Sequence, residues 1–126
     1  MRYTLLLHYA EPTEDEISTE MIAEGQRAFG AYADTLHRAG VLIGAEVLQP
    51  STNTTTLTMA DGGLRVQDGP FADTKEQLGG TFVIDVPDLD AAIEWARQAP
   101  PLSWGGTLEI RPGSTHTVDG AWTPNQ

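Results

Sequence analysis

The hydrophobic period of this chain switches from two residues to about 3.6 and back, twice over, and this double switch restricts the fold more than any other feature. "RYTLLLHYA" (Arg2–Ala10) reads as a strand with Tyr3, Leu5, Leu7 and Tyr9 on one face and Thr4, Leu6 and His8 on the other. After the acidic loop "EPTEDEIS", Ser18 is placed to cap a helix from Thr19 to Ala39, and Glu20 suits its positive end. Met21, Ile22, Gly25, Phe29, Tyr32 and Leu36 recur at spacings of three and four and form the stripe expected to pack in the core. Gly40 is placed to close the helix in the left-handed conformation. "VLIGAEVLQP" (Val41–Pro50) returns to strand and stops at its proline.

The second round begins after an insertion. Thr-rich alternation on either side of "ADGG" predicts a β-hairpin, with Asp61-Gly62-Gly63 at its turn. "GTFVIDV" (Gly80–Val86) is the next strand. Asp88 caps a helix over Leu89–Gln98 with Leu89, Ile93 and Ala96 expected inward, and Pro100-Pro101 stops it. "GGTLEIRP" (Gly105–Pro112) is the last strand, with Leu108 and Ile110 inward. The tail beyond residue 112, "STHTVDGAWTPNQ" after Gly113, is either disordered or a small hairpin around Asp119-Gly120, with Trp122 as its apolar anchor, and partial order is expected. The order β-α-β, hairpin, β-α-β predicts an α+β, ferredoxin-like plan with two helices on one face of an antiparallel sheet. The opposite face then carries Leu6, His8, Val83, Asp85, Thr107, Glu109 and Arg111. A second copy of the same sheet is the simplest cover for such a half-apolar, half-charged surface, so a homodimer of barrel form with a polar interior is expected.

Composition narrows the function classes. A chain of 126 residues is expected to be one domain. Seven Lys and Arg against 18 Asp and Glu give a net charge of −11, which repels phosphate backbones and anionic lipid and makes nucleic acid and membranes poor partners. No cysteine is present, which removes disulfides, thiolate nucleophiles and Cys-based metal sites. The three-leucine run before His8 is too short for the apolar core of a signal peptide, and no segment approaches the roughly 20 apolar residues of a membrane span, so a cytoplasmic protein is expected. The three histidines, His8, His37 and His116, show no metal-ligand spacing, and neither glycine pair has the lysine or the GxGxxG context of a phosphate loop. No metal or nucleotide cofactor is expected.

"YTLLLHY", "AGVLIGAEVLQP" and above all "DGPFADTKEQLGGTFVIDVPDLDAAIEWA" resemble the YCII-related, DGPF-domain family over residues 1–112. The resemblance implies a ferredoxin-like fold in a dimeric α/β barrel. It also implies a link to small-molecule chemistry, because some YciI-like relatives act on chlorinated hydroxyaromatic compounds through a proposed His–Asp pair. Genes of DGPF proteins often neighbour those of extracytoplasmic-function sigma factors, which implies a regulatory setting and a sigma-factor system as an alternative partner. Where this family usually carries a tyrosine at the end of the first strand, this chain has His8 followed by Tyr9, and either is able to enter the same cavity.

His8 is the best acid–base candidate, since imidazole exchanges protons near neutral pH. Asp68 or Glu46 is expected to orient its ring. His37, beside Arg38 near the end of the long helix, suits that negative helix end in a structural role. Lys75 and Glu76, with Asp73, form a small charged cluster, and Lys75 or Arg111 suits an anionic or phenolate oxygen. Asp68-Gly69-Pro70 has a plain structural role as a turn, with Phe71 expected to anchor the corner in the core. Two functions follow: a cofactor-independent acid–base enzyme for elimination or isomerisation, or a non-catalytic accessory or sensor whose acidic loop (Glu11, Glu14, Asp15, Glu16) meets a basic partner.

Overall fold

The computed structural model describes residues 1–126. Its elements run β1 (Arg2–Ala10), α1 (Thr19–Arg38), β2 (Leu42–Val47), β3 (Thr55–Ala60), β4 (Gly63–Asp68), β5 (Glu76–Asp85), α2 (Leu89–Ala96), β6 (Thr107–Pro112), β7 (Thr115–Val118) and β8 (Ala121–Pro124). The main sheet has the order β2-β5-β1-β6, antiparallel throughout, while β3-β4 and β7-β8 are separate hairpins. With the arm β3-β4 set aside, this is the ferredoxin-like α+β plan that the alternating periods predict.

Local chemistry fixes the element ends. The Ser18 hydroxyl accepts from the Met21 N–H at 3.1 Å, and the Asp88 carboxylate accepts from the Ala91 N–H at 2.9 Å. Helix α1 closes in a Schellman arrangement, with the Val41 N–H on the Leu36 carbonyl and the Gly40 N–H on the His37 carbonyl. Gly40 has φ +75° there, a conformation costly for any residue with a Cβ. The tail forms the hairpin alternative. Asn125 ties it to the first strand, accepting from the Arg2 N–H and donating to the Arg2 and Gly113 carbonyls.

The core lies between the sheet and the helices: Leu5, Leu7, Phe82 and Ile84 from the sheet, with Tyr32, Leu36, Ala92 and Ala96 above them. Two expectations fail here. Met21 and Ile22, in the first turn of α1, are exposed, and only Tyr32 and Leu36 of the stripe are buried. In α2 Ala96 is buried as expected, together with Ala92, whereas Leu89 and Ile93, also expected inward, are exposed. The close packing of this short helix takes small side chains. No helix is long and apolar enough to cross a membrane.

Tyr32 is buried, its hydroxyl donates to the Trp95 carbonyl at 2.9 Å, and burial pushes its pKa up to about 12. The unfolded phenol titrates near pH 10, so the unfolded chain releases this proton first. Stability is therefore full below about pH 10 and falls as pH rises from about 10 to about 12. Chemical denaturation at stepped pH is expected to show this alkaline slope, and to show it reduced in Tyr32→Phe.

Candidate functional site

The ladder between β1 and β5 slips at one place. Leu7 lies opposite Gly80 but His8 lies opposite Leu78, leaving Gly79 as an extra residue on β5. A bulge of this kind re-aims side chains and is common beside working sites. Residues Glu76–Gly79, ahead of the strand expected from Gly80, are the first residues of β5. The double glycine is explained by close approach. A Cβ on Gly79 would sit 2.2 Å from the Tyr9 ring, and one on Gly80 would sit 2.8 Å from the Glu46 carbonyl oxygen.

His8 and Tyr9 lie on opposite sides of the sheet beside this bulge. The Tyr9 ring packs on the core side over Gly79, its hydroxyl donating to the Gly79 carbonyl at 3.3 Å, and it meets Trp104 edge-on. Burial, and then the charge of Glu11, hold its phenol above the ordinary range. His8 stands on the open face. The two residues thus do not share a cavity, because successive strand residues point to opposite faces.

On the open face His8 Nε2 lies 2.7 Å from Glu109 Oε1 on the neighbouring strand β6. Nε2–H donating to this carboxylate fixes the ring orientation and leaves Nδ1 of the neutral imidazole as the bare nitrogen. The carboxylate beside His8 is therefore Glu109, a pairing the sequence reading missed. Asp68 stands at the end of β4 opposite Thr55, and Glu46 lies on β2 opposite Thr81; neither reaches the imidazole.

His8 and Glu109 line a shallow depression of about 470 Å³ with Thr74, Lys75, Glu76 and Thr107. The structure thus brings together His8, Lys75 and Glu76 of the candidates. Arg111 lies opposite Thr4, two residues along β6 from Glu109, outside that depression. A second cavity of about 680 Å³ shares His8, Thr74 and Glu76 and runs beneath the arm, with Leu48, Pro70, Phe71 and Leu78 as its apolar wall. Phe71 is not the core anchor expected of it: it is 86% exposed at the rim of this cavity. The corner is held instead by Gly69, at φ +98°, whose N–H donates to the Thr54 carbonyl and whose carbonyl accepts from the Thr56 hydroxyl. No three His, Asp or Glu side chains come together as metal ligands.

The sequence of residues 1–112 matches the family model for the YCII-related domain. The chain belongs to the YCII-related family. It is also 36% identical over 115 residues to an uncharacterised protein of Rhizobium meliloti (strain 1021), covering 89% of this chain and 91% of that one. The YCII-related match ends at Pro112, so the β7-β8 hairpin lies beyond it, whereas His8, Lys75, Glu76 and Glu109 all lie within it.

Within this YCII-related domain the arm's base is tied to the end of β1 by one side chain. The Glu11 carboxylate accepts from the Ser51 N–H at 2.8 Å and from the Ser51 hydroxyl at 2.9 Å. Two charge-assisted bonds across 40 residues are expected to hold the cavity wall in place. Glu11→Ala should cost about 2 kcal/mol of stability. Faster hydrogen exchange at Ser51–Thr56 would accompany the loss, and unchanged exchange there would show that Glu11 does not tether the arm.

Proposed function

We propose that this YCII-related protein is a homodimer that binds a small organic anion or phenol beside His8 and moves a proton on it. The observation that carries the reading is the 2.7 Å His8–Glu109 pair, set in a depression that also holds the Lys75 ammonium. Lys75 is suited to hold an anionic oxygen. The bare Nδ1 of His8 is suited to accept a proton from the carbon or oxygen next to it, with Glu109 keeping the ring oriented. The adjoining cavity offers an apolar wall for the rest of the molecule. Elimination and isomerisation need only these groups and no cofactor.

The dimer is supported by surface area. The single chain exposes 8678 Å², whereas a compact monomer of 13.6 kDa exposes about 6600 Å². An excess of about 2000 Å² per chain matches the area that obligate dimers cover. The sheet face bearing His8 and Glu109 is among the uncovered surfaces, so dimerisation through it would enclose the site.

The alternative, a non-catalytic sensor working with a sigma-factor system, is favoured by the exposed Glu14 and Asp15 of the acidic loop. Glu11 and Glu16 of that loop are already engaged by Ser51 and Thr13. A thermal-shift panel of phenol, benzoate and their chlorinated forms, run on wild type and His8→Phe, tests the binding claim. A ligand at about 100 times its Kd adds about 2.7 kcal/mol, a shift on the order of 10 °C for a domain of this size. A shift in wild type that shrinks in His8→Phe supports the site; equal shifts in both would place binding elsewhere.

A further inference from the structure

The arm β3-β4 is amphipathic in the wrong sense for an isolated chain. Its cross-strand pairs Leu57–Val66 and Met59–Leu64 line up on one face, and Thr56, Thr58, Arg65 and Gln67 occupy the other. The polar face meets the rest of the chain at the arm's base, where Thr56 is half-buried, donates to the Gly69 carbonyl and lines the cavity, while Thr58, Arg65 and Gln67 are exposed. The four aliphatic side chains point away from the molecule and are 57% to 72% exposed. Strict alternation specifies a strand pair with one covered face. Nothing in the chain covers it, and a lone two-stranded hairpin is marginal in water.

We infer that the outer face of this arm is an interface that packs on a second copy of the chain. The inference rests on the homodimer reading and adds to it which surface clasps the partner. Three observations select a second copy as the occupant. The excess exposed surface of about 2000 Å² is what an obligate dimer needs, and the arm supplies a contiguous aliphatic part of it. Along the two strands the only charged residue on that face is Asp68 at the arm's base, opposite Thr55, so the aliphatic stretch itself offers nothing to select a basic or acidic partner by charge. The chain's net charge of −11 disfavours insertion into anionic lipid. The arm's base also carries Thr54 and Thr56 of the cavity wall, so clasping a partner would fix the wall of the ligand site.

Sedimentation velocity over a range of protein concentrations, on wild type and Met59→Lys/Leu64→Lys, is the test. Wild type is expected to be a dimer, and the double variant to dimerise at least tenfold more weakly with an unchanged circular dichroism spectrum. A wild-type monomer at every concentration overturns the dimer reading and the arm's role with it. A wild-type dimer that the double variant matches within twofold overturns the arm inference and leaves the dimer standing. Should the variant misfold, hydrogen exchange in wild type decides. Amides of Thr55–Asp68 are expected to gain at least tenfold protection as dilute monomer becomes dimer, and concentration-independent protection overturns the inference.

Discussion

Phe82→Ala is expected to lower the unfolding free energy by about 3–5 kcal/mol. Phe82 is fully buried at the middle of β5, between Leu5 of β1 and Ala45 of β2. Its ring lies 5.0 Å from that of Tyr32 and 6.3 Å from that of Phe29, so one residue joins the sheet to α1. Truncation removes its apolar burial and leaves a cavity that neighbours on two strands cannot close. Since a domain of this kind is stable by only about 5–15 kcal/mol, the variant should sit near the limit of folding. Phe71→Ala is the matched control, because Phe71 is almost wholly exposed and its loss should cost within about 0.5 kcal/mol. Denaturant midpoints measure both. A small effect at Phe82, or a large one at Phe71, would reverse the assignment of core and rim.

The second large effect concerns chemistry. With a panel compound that binds and turns over, His8→Gln is expected to reduce kcat by about 10²–10⁴-fold, the range for removing a positioned general base. Glutamine can still donate to Glu109 but has no basic nitrogen, so binding should change less than turnover. Lys75→Ala should act in the opposite way, raising KM more than it lowers kcat, if its ammonium holds the substrate oxygen in ground and transition states alike. Turnover that survives His8→Gln would remove His8 as the base, whereas binding with no turnover in wild type would favour the sensor reading.

Much of this was legible in the sequence, for reasons that differ by element. β1 and α1 were readable because their signals are local: nine residues of alternation, a serine cap, and a glycine at the C-terminal turn. The inward face of α2 was legible only at Ala96. Eight residues give barely two turns, and hydrophobicity favours Leu89 and Ile93 over Ala92, which close packing selects. The DGPF corner was read as a turn, and Gly69 bears this out, but the direction of Phe71 depends on how the arm meets the sheet. His8 and Glu109 were both assignable to the open face by parity. Their contact spans 101 residues and depends on the register of β1 against β6, which no local signal specifies. The bulge at Gly79 was equally hidden, whereas the parting of His8 from Tyr9 follows from strand parity alone.

The most direct test of the central claim is a side-chain nuclear magnetic resonance spectrum of the three histidines, His8, His37 and His116, titrated with chlorophenol and with benzoate. Only His8 lies on the depression with Lys75 and Glu109. The account predicts that the His8 ring resonances move on binding, that the other two stay in place, and that Glu109→Gln alters the His8 signals before any ligand is added. Saturable binding of either probe that leaves His8 unmoved would contradict it.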